Sequence, residues 1–208
     1  MMTRLWAICV VLCAALSQQT AFAGEAGDAV FADRGPWSLD GETPTWSLSI
    51  TGPEAPGFIT IKDGSVSIAE VTDPSDGKPV LQLTEVTDTR ERQIGPFPIS
   101  GGDPVLTFFL EQTARDMSRQ TGGSPFYIRN RMKDALFRGG EITRDGETTT
   151  ATFQPFVDET APERLRGFET LTLRFVMGDD PKAPIREFHA ETTPVGDLAP
   201  YRNDMVMQ

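Results

Sequence analysis

The sequence predicts an α+β domain in which a curled antiparallel sheet, or half-barrel, of about 7–10 strands encloses a central α-helical hairpin. Three observations carry this. Short runs with strand-like alternation lie on both sides of the middle of the chain. Between them, over residues 103–139, the apolar period becomes helical, twice. The 19 Gly and 16 Pro among 208 residues exceed what a helical bundle tolerates, whereas 13 Phe and 24 % charged residues are too core-rich for a disordered chain.

Residues 1–23 read as a secretory leader. Arg4 supplies the positive start, Leu5 to Leu16 is an unbroken apolar run, and Ala21-Phe22-Ala23 before Gly24 forms a small-x-small cleavage site. The run is shorter than the roughly 20 apolar residues that span a bilayer, and no later segment approaches that length. A lipid anchor on Cys9 or Cys13 is disfavoured, because Ile8 and Leu12 stand where a small residue is needed. Residues 24–208 are therefore expected to be a single periplasmic domain without a transmembrane segment. Both cysteines lie in the leader, so disulfides, thiolate nucleophiles and cysteine-ligated metals are not expected in that domain.

From Gly24 to about Thr45 no period is visible, which suggests an arm with an edge strand at Trp37 to Leu39. Trp46, Leu48 and Ile50 alternate with hydroxyl residues, one buried strand face. Phe58 to Lys62 and Ser65 to Ile68 flank Asp63-Gly64, a hairpin signal because a type I′ turn needs φ > 0 at both central positions. Pro79 to Val86 is a further strand with Val80 and, in another register, Leu81, Leu83 and Val86 apolar; Thr89 to Ile94 is charged, and Pro96 and Pro98 then break the chain.

Asp103-Pro104 opens the first helix, with Leu106, Phe109, Leu110, Thr113 and Met117 on one face and Gly122-Gly123 at its end. Ser124-Pro125 opens the second, with Ile128, Met132, Ala135 and Leu136 on a face and Gly139-Gly140 beyond. Polar cap, proline at the first position and terminal glycine are the expected helix punctuation. Val105, Phe108, Phe126 and Phe137 widen the apolar surface, so the pair is expected to be covered on more than one side. Strands then resume: a second Asp-Gly hairpin at Asp145-Gly146, a strand over Phe168 to Met177, its return over Pro184 to Thr192, and a final strand or frayed tail over Tyr201 to Gln208. In element order, size and export the chain resembles the periplasmic half-barrel lipid carriers, among them the lipoprotein chaperones. The resemblance implies a ligand-holding half-barrel and assigns no residues.

Charge narrows the partners. With 30 acidic and 19 basic residues the net charge is −11, which disfavours nucleic acid, whose phosphates need clustered positive charge. The basic residues nevertheless concentrate in the helical region, at Arg115, Arg119, Arg129, Arg131, Lys133 and Arg138. They read as a solvated helix face or as a contact for an anion or headgroup.

Most catalytic constellations are missing. His189 is the one imidazole, there is no Gly-x-Ser-x-Gly elbow for a triad, and a single histidine excludes the usual multi-histidine metal sites. Asp73 to Gly77 and Gly178 to Asp180 are turns without the oxygen ladder of a calcium loop. Gly101-Gly102-Asp103-Pro104 lacks the phosphate-loop ending. No catalytic residue, metal or cofactor is assigned. The distinctive stretch is the start of the second helix, where Tyr127 and Arg131 lie four apart and face the same way, with Asn130 beside them. Tyr127, Asn130 and Arg131, with Phe109 and Phe126, are expected either to line a cavity and hold an acidic or carbonyl group, or to brace the helix against the sheet. The function expected first is non-enzymatic carriage of a lipid, acyl chain or other hydrophobic ligand. The second is an envelope interaction or scaffold protein whose interior is filled. A carboxylate-dependent hydrolase comes third, favoured only if Glu70, Glu85 or Asp88 meets Tyr127 or Arg131 in one cleft.

Overall fold

The computed structural model describes residues 24–208; the leader expected over residues 1–23 lies outside them. The chain begins with a short helix, α1 (Glu25–Val30), and then lays down β1 (Thr45–Thr51), β2 (Ile61–Thr72), β3 (Pro79–Val86) and β4 (Glu91–Pro98) as a meander. It crosses back through α2 (Pro104–Thr121) and α3 (Pro125–Arg138). A second meander follows: β5 (Glu141–Asp145), β6 (Thr148–Phe153), β7 (Thr172–Met177), β8 (Glu187–Glu191) and β9 (Arg202–Met207). The last strand pairs with the first, Trp46 opposite Met207 and Ile50 opposite Asn203. One antiparallel sheet of nine strands results, in the order β4-β3-β2-β1-β9-β8-β7-β6-β5. The sheet is curled but not closed into a barrel, and β4 and β5 remain its edges.

The alternation decides which face is buried. Trp46, Leu48 and Ile50 of β1, Leu173 and Phe175 of β7, and Phe188 and Ala190 of β8 all point to one side and are fully buried. Against this side lies α2: Phe109 meets Phe175 edge-on at 5.9 Å and Phe188 at 5.4 Å between ring centroids. Each such aromatic pair adds about 0.5–1.5 kcal/mol beyond its burial. The indole of Trp46 donates to the carbonyl of Ile185 at 2.9 Å, so the largest core side chain leaves no polar atom unpaired.

Both helices lie between the expected proline and glycine, but only α2 is capped as its sequence directs, since the Ser124 side chain makes no cap hydrogen bond and Gly139 is extended. The Asp103 carboxylate accepts from the amides of Val105 and Leu106, Pro104 occupies the first turn, and Gly122 closes α2 with φ +74°, where a side chain would be strained. They differ in cover. Only α2 is wrapped on several sides. α3 buries Ile128, Met132 and Leu136, a stripe at i, i+4, i+8, and leaves Phe126 67 % and Phe137 62 % exposed. The expectation that the pair is covered on more than one side holds for α2 and not for α3, whose partners are α2 and α1. Phe137 stacks on Phe31 at 4.5 Å.

Several local expectations are corrected. No strand forms at Trp37 to Leu39; the arm instead holds α1, and Arg34 anchors it by donating to the carbonyls of Val30, Ala32 and Ala183. Asp63-Gly64 is not a turn. It runs inside β2, with Gly64 opposite Leu48, where an added Cβ would come within 2.7 Å of the Ile61 side chain and 3.1 Å of the Leu48 carbonyl oxygen. Glycine serves close strand approach there, next to a register shift between Leu48 and Ile50, while the reversal is made by residues 52–60. Pro96 and Pro98 do not end the pattern, since β4 continues through both. An edge strand tolerates the missing amide donors. Phe168 to Thr170 is a 3-10 turn rather than strand, and Tyr201 to Gln208 contributes β9, a central strand rather than a frayed tail.

Candidate functional site

The residues singled out at the start of the second helix do not converge on one cavity. Phe109 lies in the core. Phe126 faces outward with the Arg129 guanidinium 4.9 Å above its ring. The Tyr127 hydroxyl donates to Glu159 at 2.9 Å, tying α3 to the loop after β6 and raising the phenol pKa through that hydrogen bond. Asn130 is exposed. Arg131 turns into a 430 Å³ surface cleft between α3 and residues 152–158, whereas Tyr127 borders a separate 640 Å³ depression beside residues 159–166. Phe109 fills the interior, Phe126 and Phe137 stand on the surface, and Phe108, though buried, borders the space between α2 and β4.

A different cleft combines apolar and charged walls. It runs between α2 and the edge strand β4. On α2, Phe108, Gln112, Arg115 and Arg119 recur at three- and four-residue spacing and so share one face. On β4, Arg92, Ile94 and Phe97 point the same way, the extra residue before Phe97 coinciding with the register shift opposite Leu81 and Leu83. At one end Phe108, Ile94 and Phe97 line a slot of 240 Å³. At the other, Arg90, Arg92, Arg115 and Arg119 surround an 80 Å³ recess. Arg92, Gln112 and Arg115 border both, so slot and recess lie side by side along the cleft.

Two buried carboxylates set Arg90, Arg92 and Arg119 in place. Glu85 follows Leu81 and Leu83 on the inward face of β3, a charge where the alternation calls for an apolar residue, while Val86 points away and is exposed. It lies directly opposite Arg92 in the β3–β4 ladder, ion-pairs with Arg92, and meets Arg90 at 3.4 Å. One oxygen of Glu85 has no partner among the described residues. Asp116, on α2, takes Arg119 at 3.0 Å, the Gln112 amide at 3.0 Å and the Tyr201 hydroxyl at 3.1 Å. Burial raises the Asp116 pKa against the pull of these donors, and burial followed by the Asp116 charge pushes the Tyr201 phenol well up. Beside them Asn203 donates to Thr113 at 3.1 Å. The polar flank of α2 is thus bonded to β9 and the residue before it.

Other candidate chemistry is structurally occupied. His189 lies on the opposite face of the sheet, with Nδ1 2.7 Å from Asp204 and Nε2 2.8 Å from Glu187, so neither nitrogen is free to serve a substrate. Glu85 meets arginines of its own hairpin rather than Tyr127 or Arg131, the juxtaposition that would have favoured a hydrolase. Among the described residues no group of three or more His, Cys, Asp or Glu is placed to hold a metal ion, and no helix is long and apolar enough to cross a membrane. The chain matches no protein-family model, and no curated protein is significantly similar to it. The α2–β4 cleft is the place where apolar surface and an excess of one charge meet.

Sequence reasoning missed Arg90 and Arg92 as site residues and weighed Glu85 only as a possible acid of a hydrolase cleft. The signal was present: Leu81-x-Leu83-x-Glu85 places an acid on a buried face, and a buried acid needs cationic partners. What hid them was the dismissal of Thr89 to Ile94 as a merely charged segment, which left β4 without its paired register.

Proposed function

We propose that the protein is an exported, non-enzymatic protein of the cell envelope that binds an acyl or other hydrophobic ligand, and that the ligand lies in the cleft between α2 and β4. The observation that carries this reading is the 240 Å³ slot of Phe108, Ile94 and Phe97, which opens beside the edge of the sheet. Apolar walls there have no side chain of the protein filling the space between them, so a ligand chain entering the slot is removed from water at about 25 cal/mol for each Å² buried. Carriage in a central cavity has no support from the packing, since the inward aromatic residues touch one another.

Native mass spectrometry of the chain purified from its expressing cells, with organic extraction of what accompanies it, tests the reading. A co-purifying acyl species that is lost when Phe97→Trp fills the slot supports it. A protein that stays empty and gains no thermal stability from any acyl compound contradicts it. The second reading, an envelope interaction protein, is favoured by the exposed Val157 beside Arg131 and by the exposed Phe126 under Arg129, and would gain from the second outcome.

A further inference from the structure

We propose that the α2–β4 cleft selects single-chain amphiphiles with an acidic head, a carboxylate or a phosphate, held by Arg90, Arg92, Arg115 and Arg119 while the chain lies against Ile94, Phe97 and Phe108. This rests on the reading that the slot takes an acyl chain, and adds the chemistry of its head.

Charge is the first ground. Four guanidinium groups, two from α2, one from β4 and one from the turn before β4, border one recess, and two carboxylates, Glu85 and Asp116, answer three of them. Glu111, at the slot side, is engaged by Arg129 at 2.7 Å. Arg115 is exposed and makes no ion pair among the described residues. In a chain of net charge −11, a local excess of arginine stands against the overall field. Guanidinium groups bind carboxylate and phosphate oxygens through paired donors, which an ammonium or uncharged head cannot use.

Geometry is the second ground. The recess and the slot are neighbours that share Arg92, Gln112 and Arg115, so a head held at these side chains has the apolar slot next to it for its chain. Their volumes, 80 and 240 Å³, lie together at the small end of the roughly 300–1,000 Å³ typical of ligand sites. This suits one chain rather than a diacyl pair. Asp116 and Glu85 act as positioning residues, since each holds an arginine from behind and is itself buried.

Isothermal titration calorimetry at pH 7 tests the proposal with decanoate, decyl phosphate, decanol, decyltrimethylammonium and inorganic phosphate. The two acidic amphiphiles are expected to bind at least tenfold more tightly than decanol or the ammonium compound, and to weaken with added salt, with inorganic phosphate alone far weaker. Arg115→Gln is expected to cost the acidic amphiphiles about tenfold and leave decanol unchanged, since it removes a charged donor from the head and nothing from the chain. Arg90→Gln, at a second partly exposed site, is expected to act in the same direction. Equal affinity across the head groups, or a preference that survives both substitutions, overturns the proposal while leaving acyl binding in place. Inorganic phosphate binding as tightly as decyl phosphate overturns it in favour of a simple anion site. Failure of every chain-bearing compound to bind removes the acyl reading and this inference together.

Discussion

α2 and α3 are consecutive helices with the same punctuation, proline at the start and glycine at the end, yet α2 buries 12 of its 18 residues and α3 only 3 of 14. The difference lies in what stands on each side. α2 lies between the sheet, α3 and the edge strand β4, whereas α3 covers α2 and faces solvent along its outer side. A helix inside a domain that still carries Gln112, Thr113, Asp116 and Gln120 has buried polar groups at a cost that only paired donors and acceptors offset. Those groups are also what orient Arg119 and Gln112 at the cleft. Among the more conspicuous residues of α3, Tyr127 bonds to Glu159, Arg129 to Glu111 and Arg138 to Asp134, all at the surface, while the buried Nε of Arg131 has no partner among the described residues. Polar residues in a buried helix point to a site more reliably than polar residues on an exposed one.

The comparison breaks most plainly through a pair of phenylalanines. Phe109→Ala in α2 is expected to cost about 3–5 kcal/mol of unfolding free energy, the usual penalty for emptying a core aromatic position, whereas Phe126→Ala in α3 should stay within about 0.5 kcal/mol. Denaturant titration of both variants decides it; similar losses would mean that α3 is as embedded as α2. Next in size is Gly27→Ala in α1. A Cβ there would lie 2.1 Å from the Leu136 carbonyl oxygen of α3, a contact that only backbone movement relieves. We expect about 1–3 kcal/mol of destabilisation, with amide exchange rising in α3 while α2 stays protected.

The smallest expected effect belongs to the far face of the sheet, away from both helices. Burial lowers the His189 pKa, but the hydrogen bonds from Asp204 and Glu187 prevail and leave it raised. The folded protein therefore holds the imidazolium proton more tightly than the unfolded chain. The resulting stabilisation is complete below the unfolded value of about 6.5 and is lost as the pH rises through the folded value. His189→Gln should flatten that part of the stability profile, measured by denaturation at pH values on either side of the window, without altering the behaviour of α2 or α3. An unchanged profile would show that the two carboxylates do not act on the histidine.

Much of the fold was legible in the sequence, and the exceptions have physical reasons. The strand faces of β1, β7 and β8 and both helix boundaries follow from period and punctuation, since each is set by residues within one element. The two Asp-Gly pairs show where local reading fails. Asp145-Gly146 does turn, with φ +56° at Gly146 and Asp145 paired to Thr148. Asp63-Gly64 does not, because Gly64 is required for the approach of Leu48 and the Ile61 side chain, a demand made by neighbours that no local pattern displays. The site was less legible. Arg115 and Arg119 stood out by charge, but Arg90 and Arg92 acquire meaning only once β4 is paired to β3 and Glu85 is seen to face inward.

The central claim is that ligand enters beside α2 and not beside α3. Backbone amide shifts of isotope-labelled protein, followed during titration with decanoate, test it most directly. The account predicts saturable shifts at Arg92, Ile94, Phe97, Phe108, Gln112 and Arg115, with little change from Phe126 to Arg131 or at Val157. Shifts confined to α3 and the 154–166 loop, with the α2–β4 cleft silent, would contradict it.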